Sequence, residues 1–240
     1  MASTSEVGHA NNIANLNLLN TNIVALGTVY NPTNPNLLLP NLQNLYTQNF
    51  ANQESVNNKV APYSIAVDER EFVFKPLNRE LSKLRKAYKA TEGVTEAQLE
   101  DLMTIIRKLK GVRKEPKPET NPEIEQNNYS VSQMSYDQRT NNMDLLIALL
   151  ENTPNYNPNE TQYKVQTYQN KKSEMLTKTQ NVADTYIPLN NARSQRNKSM
   201  YYAENNLVET ANRAKDYLFT ILDSDSPQYR AISKIKFKKR

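Results

Sequence analysis

The sequence predicts an all-α protein, an elongated antiparallel helical bundle with coiled-coil character in which one unit occurs twice. Only 4 of its 240 residues are Gly, too few for the many turns of a β-sandwich or barrel. Apolar residues recur at helical spacing, and each half contains a helix, an Asn-Pro turn and a long helix. A mean hydropathy of −0.78 suits long helices that bury only a narrow stripe.

The first helix is predicted at residues 10–27, where Ile13, Leu16 and Ile23 lie on one face. Two prolines in residues 30–36 prevent its continuation, and Asn34 before Pro35 has the chemistry of a helix cap. A new helix can therefore start at this turn.

A long helix is predicted from Leu42, because residues repeat in two rows seven apart over residues 42–88. Pro62 and Pro76 lie inside this stretch, and each removes a backbone donor, so we expect kinks or a broken helix. The rows are Leu42, Asn49, Val56, Tyr63, Arg70, Leu77 and Leu84, and Tyr46, Gln53, Val60, Val67, Phe74, Leu81 and Tyr88.

The next helix begins at a capping box, in which Thr95 and Gln98 satisfy each other's free backbone donors, and it ends at Gly111. Residues 112–129 contain three prolines and few apolar side chains, which predicts a linker. A further helix is predicted from about Ser130 to Thr153.

A tandem duplication is predicted, with residues 1–111 as the first repeat and 130–240 as the second, both packing as one elongated bundle. A shift of 123 residues aligns the Asn-Pro-Asn turn at 34–36 with that at 157–159, which places Pro158 at the start of a second long helix reaching about Tyr202. Helices at residues 207–222 and 227–237 complete the second copy.

Several segments resemble a group of predicted helical proteins from Bacteroidetes-type bacteria that have no assigned activity. They are FKPL at 74–77, SVSQMS at 130–135, LLIALL at 145–150, YNPNET at 156–161, LNNARSQRNK at 189–198 and SPQY at 226–229. The likeness covers most of residues 37–240 and implies a cytoplasmic helical architecture, without supplying a site. Pro188 departs from the uninterrupted helix that the resemblance implies.

The composition disfavours enzymatic chemistry. With no Cys, the chain has no disulfide, thiol nucleophile or cysteine zinc site. Its single histidine, His9, is expected in a frayed N-terminus, so neither a catalytic triad nor a histidine metal site is predicted. Carboxylates at residues 68–71 and 96–101 are expected to face solvent. We therefore predict no enzyme, no cofactor and no metal.

Two basic runs are candidate contacts for phosphate or nucleic acid: Arg107, Lys108, Lys110, Arg113 and Lys114 in the first copy, and Lys234, Lys236, Lys238, Lys239 and Arg240 in the second. The commoner explanation is that cations at helix C-termini complement the backbone dipole. A net charge of +5 adds only weak support for an anionic partner.

Two apolar runs are candidate partner contacts, with core packing as the alternative: Leu37, Leu38 and Leu39, and Leu145, Leu146 and Leu149. Each is too short to span a membrane. Asn20 and Asn49 occupy predicted seam positions, where buried amide pairs with a partner helix could set register.

The leading functional hypothesis is a non-enzymatic structural or interaction protein that forms a homo-oligomer or scaffolds a protein partner through long helical faces. A membrane-active or pore-forming component is the second hypothesis, and a nucleic-acid-associated protein is the third. The N-terminus has no basic segment and its apolar residues are interrupted by asparagines, which favours a cytoplasmic location without a signal peptide.

Overall fold

Helices make up the regular structure of the protein in a computed structural model that describes residues 4–111 and 135–239. They are α1 Thr4–Leu26, α2 Leu39–Phe74, α3 Leu77–Lys89, α4 Glu96–Lys110, α5 Tyr136–Glu151, α6 Val165–Asn197, α7 Leu207–Ile221 and α8 Pro227–Ser233. These described ranges contain no β-strand. The predicted all-α helical class is confirmed.

The two long helices run through their internal prolines. Pro62 of α2 and Pro188 of α6 are both exposed, so the backbone hydrogen bond that each proline removes lies on the solvent side. The break expected within residues 42–88 occurs at Pro76, which stands just before α3, whereas the helix continues through Pro62. The corresponding end of α6 passes into a π-helical turn, Lys198–Tyr202.

The turn before each long helix is closed by a tyrosine. Tyr30 donates its hydroxyl hydrogen bond to the Leu37 carbonyl at 2.8 Å, and Tyr156 donates to the Tyr163 carbonyl at 2.6 Å. The 3₁₀ turns at these sites are Pro35–Leu37 and Thr161–Tyr163. The second long helix therefore does not start at Pro158, as the sequence predicted. The second 3₁₀ turn begins at Thr161, three residues after Pro158, whereas the first begins at Pro35 itself, and α6 follows from Val165.

The ends of the described helices follow local signals closely in some places and depart from them in others. The capping box at Thr95 is confirmed, with the Thr95 amide 2.9 Å from the Gln98 side-chain oxygen and the Gln98 amide 3.3 Å from the Thr95 hydroxyl. Gly111 ends α4 with a φ of 67°. Ser135 caps α5, whereas the predicted start near Ser130 lies outside the described residues. Helix α8 stops at Ser233, short of the predicted residue 237.

His9 does not lie in a frayed terminus, as the sequence predicted. Helix α1 begins at Thr4, and His9 is only 1% exposed. Its Nδ1 lies 2.8 Å from the Tyr201 hydroxyl, which ties α1 to the π-helical turn. Tertiary packing therefore orders a segment whose sequence suggests fraying.

The chain divides into two compact units, Met1–Tyr63 with Thr185–Arg240, and Ser64–Asp184. Each unit has its own apolar core, and each takes residues from both predicted repeats. The first core combines α1 and the start of α2 with α7 and α8, and the second combines α3 and α4 with α5 and the start of α6. The compact units thus do not coincide with residues 1–111 and 130–240. The predicted linker, residues 112–129, lies outside the described residues.

Candidate anion-binding groove

Part of the first predicted basic run lines a groove in the second unit. The groove lies between α3 and α4 and has a volume of about 590 Å³. Arg107 and Lys110 line it, whereas Lys108 does not, and Arg113 and Lys114 lie outside the described residues. The lining residues are Leu81, Ser82, Arg85, Lys86 and Lys89 of α3 and Met103, Ile106, Arg107 and Lys110 of α4.

Helical periodicity brings these cations to one place. The apolar face of α3, which includes Leu81 and Leu84, packs into the second core. Arg85 and Lys89 are one turn apart along the edge of that face, and they lie on the same side as Leu81 and Ser82. On α4, Arg107 lies four residues after Met103 and three before Lys110, so these three side chains also share one side of their helix. The groove is therefore a by-product of two amphipathic helices packing side by side.

The α4 side of the groove is fixed by two polar contacts. Lys110 donates a hydrogen bond of 2.6 Å to the Ser82 hydroxyl across the groove. Arg139 of α5 donates to the Leu109 carbonyl at 3.1 Å and to the Phe74 carbonyl at 3.2 Å, which satisfies two carbonyls at helix ends. Burial lowers the pKa of Arg139, with Tyr136 opposing the shift. These contacts hold the end of α4 against its neighbours.

The groove carries a concentrated positive charge. Five of its nine lining residues are Arg or Lys and none is acidic. Cations in the last turns of α3 and α4 also face the negative ends of the helix dipoles, which lowers the cost of placing them together. Its chemistry suits the binding of a group with several negative charges, since none of the described residues that line it carries a carboxylate or an imidazole.

The sequence prediction missed three of the five cations, Arg85, Lys86 and Lys89. A signal for them exists, because they flank the predicted seam residues Leu81, Leu84 and Tyr88 within one helix. The packing of α3 against α4 is a tertiary contact. Spacing within one helix therefore does not predict that the three cations of α3 lie near Arg107 and Lys110 of α4.

The second basic run has a different structure. Lys234, Lys236, Lys238 and Lys239 follow α8 in a segment without regular secondary structure, and Arg240 lies outside the described residues. The helix-dipole explanation applies here only to Lys234, the residue after the helix end. Lys215 of α7 donates a hydrogen bond to the Ile235 carbonyl of this segment. Burial lowers the pKa of Lys215; Asp216 opposes this shift and Lys236 adds to it.

The six leucines predicted as partner contacts fall into three classes. Leu37 and Leu146 are core residues, and the prediction that they contact a partner is wrong. Their side chains are buried within the chain and are not available to a partner. Leu39 and Leu149 are partly buried against the cores. Leu38 and Leu145 are exposed.

The buried asparagines of the predicted seam bond within the chain. The Asn20 side-chain amide donates to the Leu42 carbonyl at 3.2 Å, and that of Asn49 donates to the Leu45 carbonyl at 2.9 Å. Backbone carbonyls of the same chain thus take the two donors, whereas the buried Oδ1 of each asparagine has no hydrogen-bond partner among the described residues. Pairing of these residues with a partner helix stays a prediction.

Metal-binding clusters and membrane-spanning helices are absent from the part of the chain that the structure describes. Residues 4–111 and 135–239 contain no group of three or more His, Asp or Glu side chains arranged for a metal ion. The acidic residues at 68–71 and 96–101 are exposed, and Glu69 pairs with Lys178 at 2.8 Å. Within these ranges, no helix has both the length and the apolar character that crossing a membrane requires.

Comparison of the chain with protein families, with curated proteins and with solved structures gave no match. The resemblance to a Bacteroidetes-type group therefore stays a prediction.

Proposed function

We propose that the chain is a non-enzymatic interaction protein that binds an acidic segment of a protein partner in the groove between α3 and α4. One observation carries the proposal: five cationic side chains and no acidic one line a single concave surface. Like charges held together repel one another, and a partner with several carboxylates relieves that repulsion while making charge-assisted hydrogen bonds.

The floor of the groove favours a protein segment over a purely ionic ligand. Leu81 and Ile106 form its base, and Met103 is 40% exposed there. An amphipathic acidic segment would cover this methionine with an apolar side chain and place carboxylates on the rim. Aromatic side chains, on which nucleic-acid bases stack, are absent from the described lining of the groove, which makes single-stranded nucleic acid the weaker candidate.

The proposal is tested with a labelled synthetic peptide that carries leucines between glutamates, titrated with the full chain at several salt concentrations. The variant Arg85→Gln with Arg107→Gln removes two groove cations. A matched control, Arg213→Gln with Arg230→Gln, removes two exposed arginines of the first unit. We expect the groove variant to bind about tenfold or more weakly, since charged hydrogen bonds contribute about 1.5–3 kcal/mol each.

Equal weakening in the groove and control variants would mean that only net charge matters, and the proposal would then fail. Single-stranded DNA of the same length is the competing probe. Tighter, Arg107-dependent binding of DNA at matched salt would replace the protein partner with the nucleic-acid alternative.

Self-association through the long helices is a second candidate function, favoured by exposed apolar residues at matching positions of α2 and α6. Phe50 and Leu176 are both exposed, and so are Val60 and Tyr186; each pair is 126 residues apart, as Pro62 and Pro188 are. Sedimentation of the unaltered chain and of Phe50→Ser with Leu176→Ser measures this. A compact monomer at all concentrations of the unaltered chain contradicts it.

The membrane-active alternative and the cytoplasmic location remain predictions. Leakage of a trapped dye from vesicles of anionic phospholipid tests the membrane-active alternative. Vesicles that stay intact at every pH would count against it.

A further inference from the structure

A second cavity adjoins the cationic groove and shares Lys86 with it. This cavity lies in the second unit, between α3 and the turn that precedes α6, and has a volume of about 490 Å³. Around the helix, Arg85 and Lys89 of the groove lie to one side of Lys86, and Lys83 and Ala87 of the second cavity lie to the other. The two concave surfaces therefore meet at one lysine side chain.

The second cavity differs from the groove in charge. Lys83 and Lys86 are balanced by Glu92 and Glu160 among the described residues that line it. The groove, in contrast, is lined by five cations and by no acidic residue of the described chain. A segment that follows both surfaces passes from a strongly positive surface to a neutral, polar one. It therefore needs carboxylates at one end and uncharged hydrogen-bonding groups at the other.

Three asparagines of the turn, Asn155, Asn157 and Asn159, supply the uncharged polar groups of the second cavity. Their side chains are exposed, and none of the three forms a hydrogen bond with another described residue. Each side-chain amide offers a donor and an acceptor, which match the carbonyl and the amide of an extended peptide backbone. The turn thus presents backbone-recognising groups that the fold itself does not use.

The equivalent asparagines of the first turn, in contrast, bond within the chain. Asn34 accepts a hydrogen bond of 3.0 Å from the Asn36 amide, and Asn36 donates one of 3.3 Å to the Asn205 side-chain oxygen. The shift of 123 residues matches Asn34 with Asn157, but the second 3₁₀ turn has Glu160 at its N-cap position. Asn157 therefore has no cap to make, which leaves its amide open to a ligand.

The second cavity lies where α3 has a small side chain. Counted from the first helical residue, Ala87 of α3 matches Tyr217 of α7. In the first unit, the Tyr217 ring packs edge-on against Tyr30, which closes the first turn, with 5.3 Å between the ring centroids. In the second unit, Ala87 has no ring to extend towards the turn, and it lines the cavity instead. The substitution Ala87→Tyr would therefore place a ring in the cavity.

We infer that the acidic partner segment continues from the groove past Lys86 into the second cavity, where Asn157 and Asn159 bond its backbone. The inference rests on the proposed function and adds the composition of the partner, an acidic stretch followed on one side by an uncharged polar one. Charge attraction holds the acidic stretch in the groove, and hydrogen bonds to backbone hold the polar stretch.

Titrations of the full chain with three labelled peptides test the inference. The probes are the leucine–glutamate peptide alone and the same peptide with a serine–glutamine extension of about four residues, roughly 13 Å when extended, at either its N-terminus or its C-terminus. We expect one of the two extended peptides to bind about tenfold more tightly than the short one, because its backbone gains hydrogen bonds to the turn.

Two variants of the second cavity should remove that gain and leave the affinity for the short peptide within about twofold. Ala87→Tyr fills the cavity, and Asn157→Ala with Asn159→Ala removes the amides without filling it. The matched control is Ala51→Tyr, at an exposed position of α2 in the first unit, and it should keep the full gain. If Ala87→Tyr alters the helical circular dichroism, the asparagine variant decides.

The outcomes separate the inference from the proposed function. If the short peptide binds through Arg85 and Arg107 but neither extension tightens binding, the inference is overturned and the proposed function stands. The inference also falls if the gain survives in the variants of the second cavity. If the short peptide does not depend on Arg85 and Arg107, the proposed function fails and the inference fails with it.

Discussion

The two compact units follow one plan but differ beside one pair of helices, which is α3 and α4 in the second unit and α7 and α8 in the first. In the second unit, α3 presents Leu81 and Leu84 to the core; at the same positions, counted from the first helical residue, α7 presents Ala211 and Ala214. Beside α7 the first unit adds residues 234–239, which we call the strap; its Ile235 joins the same core as the alanines and its Ile235 carbonyl accepts a hydrogen bond from Lys215. Beside α3 and α4 the second unit has an open cationic groove.

This difference shows how helices at equivalent positions of the two units reach equal burial by different means. The larger leucines of α3 fill their core from within, whereas the small alanines of α7 share a core with a side chain from the strap. Hence the helix pair α3 and α4 is flanked by a groove, whereas α7 of the first unit is flanked by residues that contribute Ile235 to the core.

The largest expected effect comes from exchanging side-chain size between the two cores. Leu84→Ala should lower the free energy of unfolding by about 2–5 kcal/mol, since it leaves a cavity in the second core. Ala214→Leu should lower it by about 1–3 kcal/mol, because the first core has no room for the added atoms. Urea unfolding followed by circular dichroism measures both. A neutral Ala214→Leu would mean that the first core is loosely packed, against the comparison.

A smaller effect is expected from the helix caps. Thr95→Ala removes the side-chain half of the capping box of α4 and should cost about 1 kcal/mol. The control is Thr177→Ala, which removes an exposed mid-helix hydroxyl bonded to the Ser173 carbonyl and should change stability by less than about 0.5 kcal/mol. Equal losses in the two variants would contradict a specific role for the cap.

The tyrosines that close the two turns should make the free energy of unfolding fall as the pH rises through the alkaline range. Burial, with a contribution from Tyr217, raises the pKa of Tyr30 from 10.0 to about 12, and burial raises that of Tyr156 in the same direction. The unfolded chain therefore loses these protons first. Their contribution is complete below pH 10 and is lost as pH rises towards 12 and beyond.

Thermal unfolding between pH 9 and about 12 tests this, with Tyr30→Phe and Tyr156→Phe as variants. At neutral pH each should cost about 1 kcal/mol for the lost hydrogen bond, and the two costs should be similar. The fall at alkaline pH should be shallower in each variant than in the unaltered chain. An unchanged slope would remove these tyrosines as its cause.

The smallest effect is expected from surface ion pairs. Lys178 and Glu69 of the second unit lie 2.8 Å apart and are both partly exposed, so Lys178→Gln should cost less than about 1 kcal/mol. The cost should vanish in 1 M salt, where charges are screened within about 3 Å. A larger or salt-independent loss in urea unfolding would assign Lys178 a packing role instead.

Much of the fold could be predicted because it depends on contacts within one helix. The row Leu42, Asn49 and Val56 is fully buried on α2, and the capping box at Thr95 forms as its spacing requires. Each signal lies within one helix, so it depends on helical periodicity and on bonds between near neighbours rather than on which distant segments pack against that helix. The candidate groove was predicted only in part, since Arg107 and Lys110 meet Arg85 through the packing of two helices.

The sequence by itself determined the helical class, the stripe that each long helix buries and the local caps, because these depend on periodicity and on bonds between near neighbours. Only the tertiary structure decided which halves share a core, that His9 is buried, that the strap lies on Asn12 and that the cations of α3 and α4 line one groove. Apolar burial is non-directional, so an amphipathic stripe specifies that it must be covered without specifying by which element.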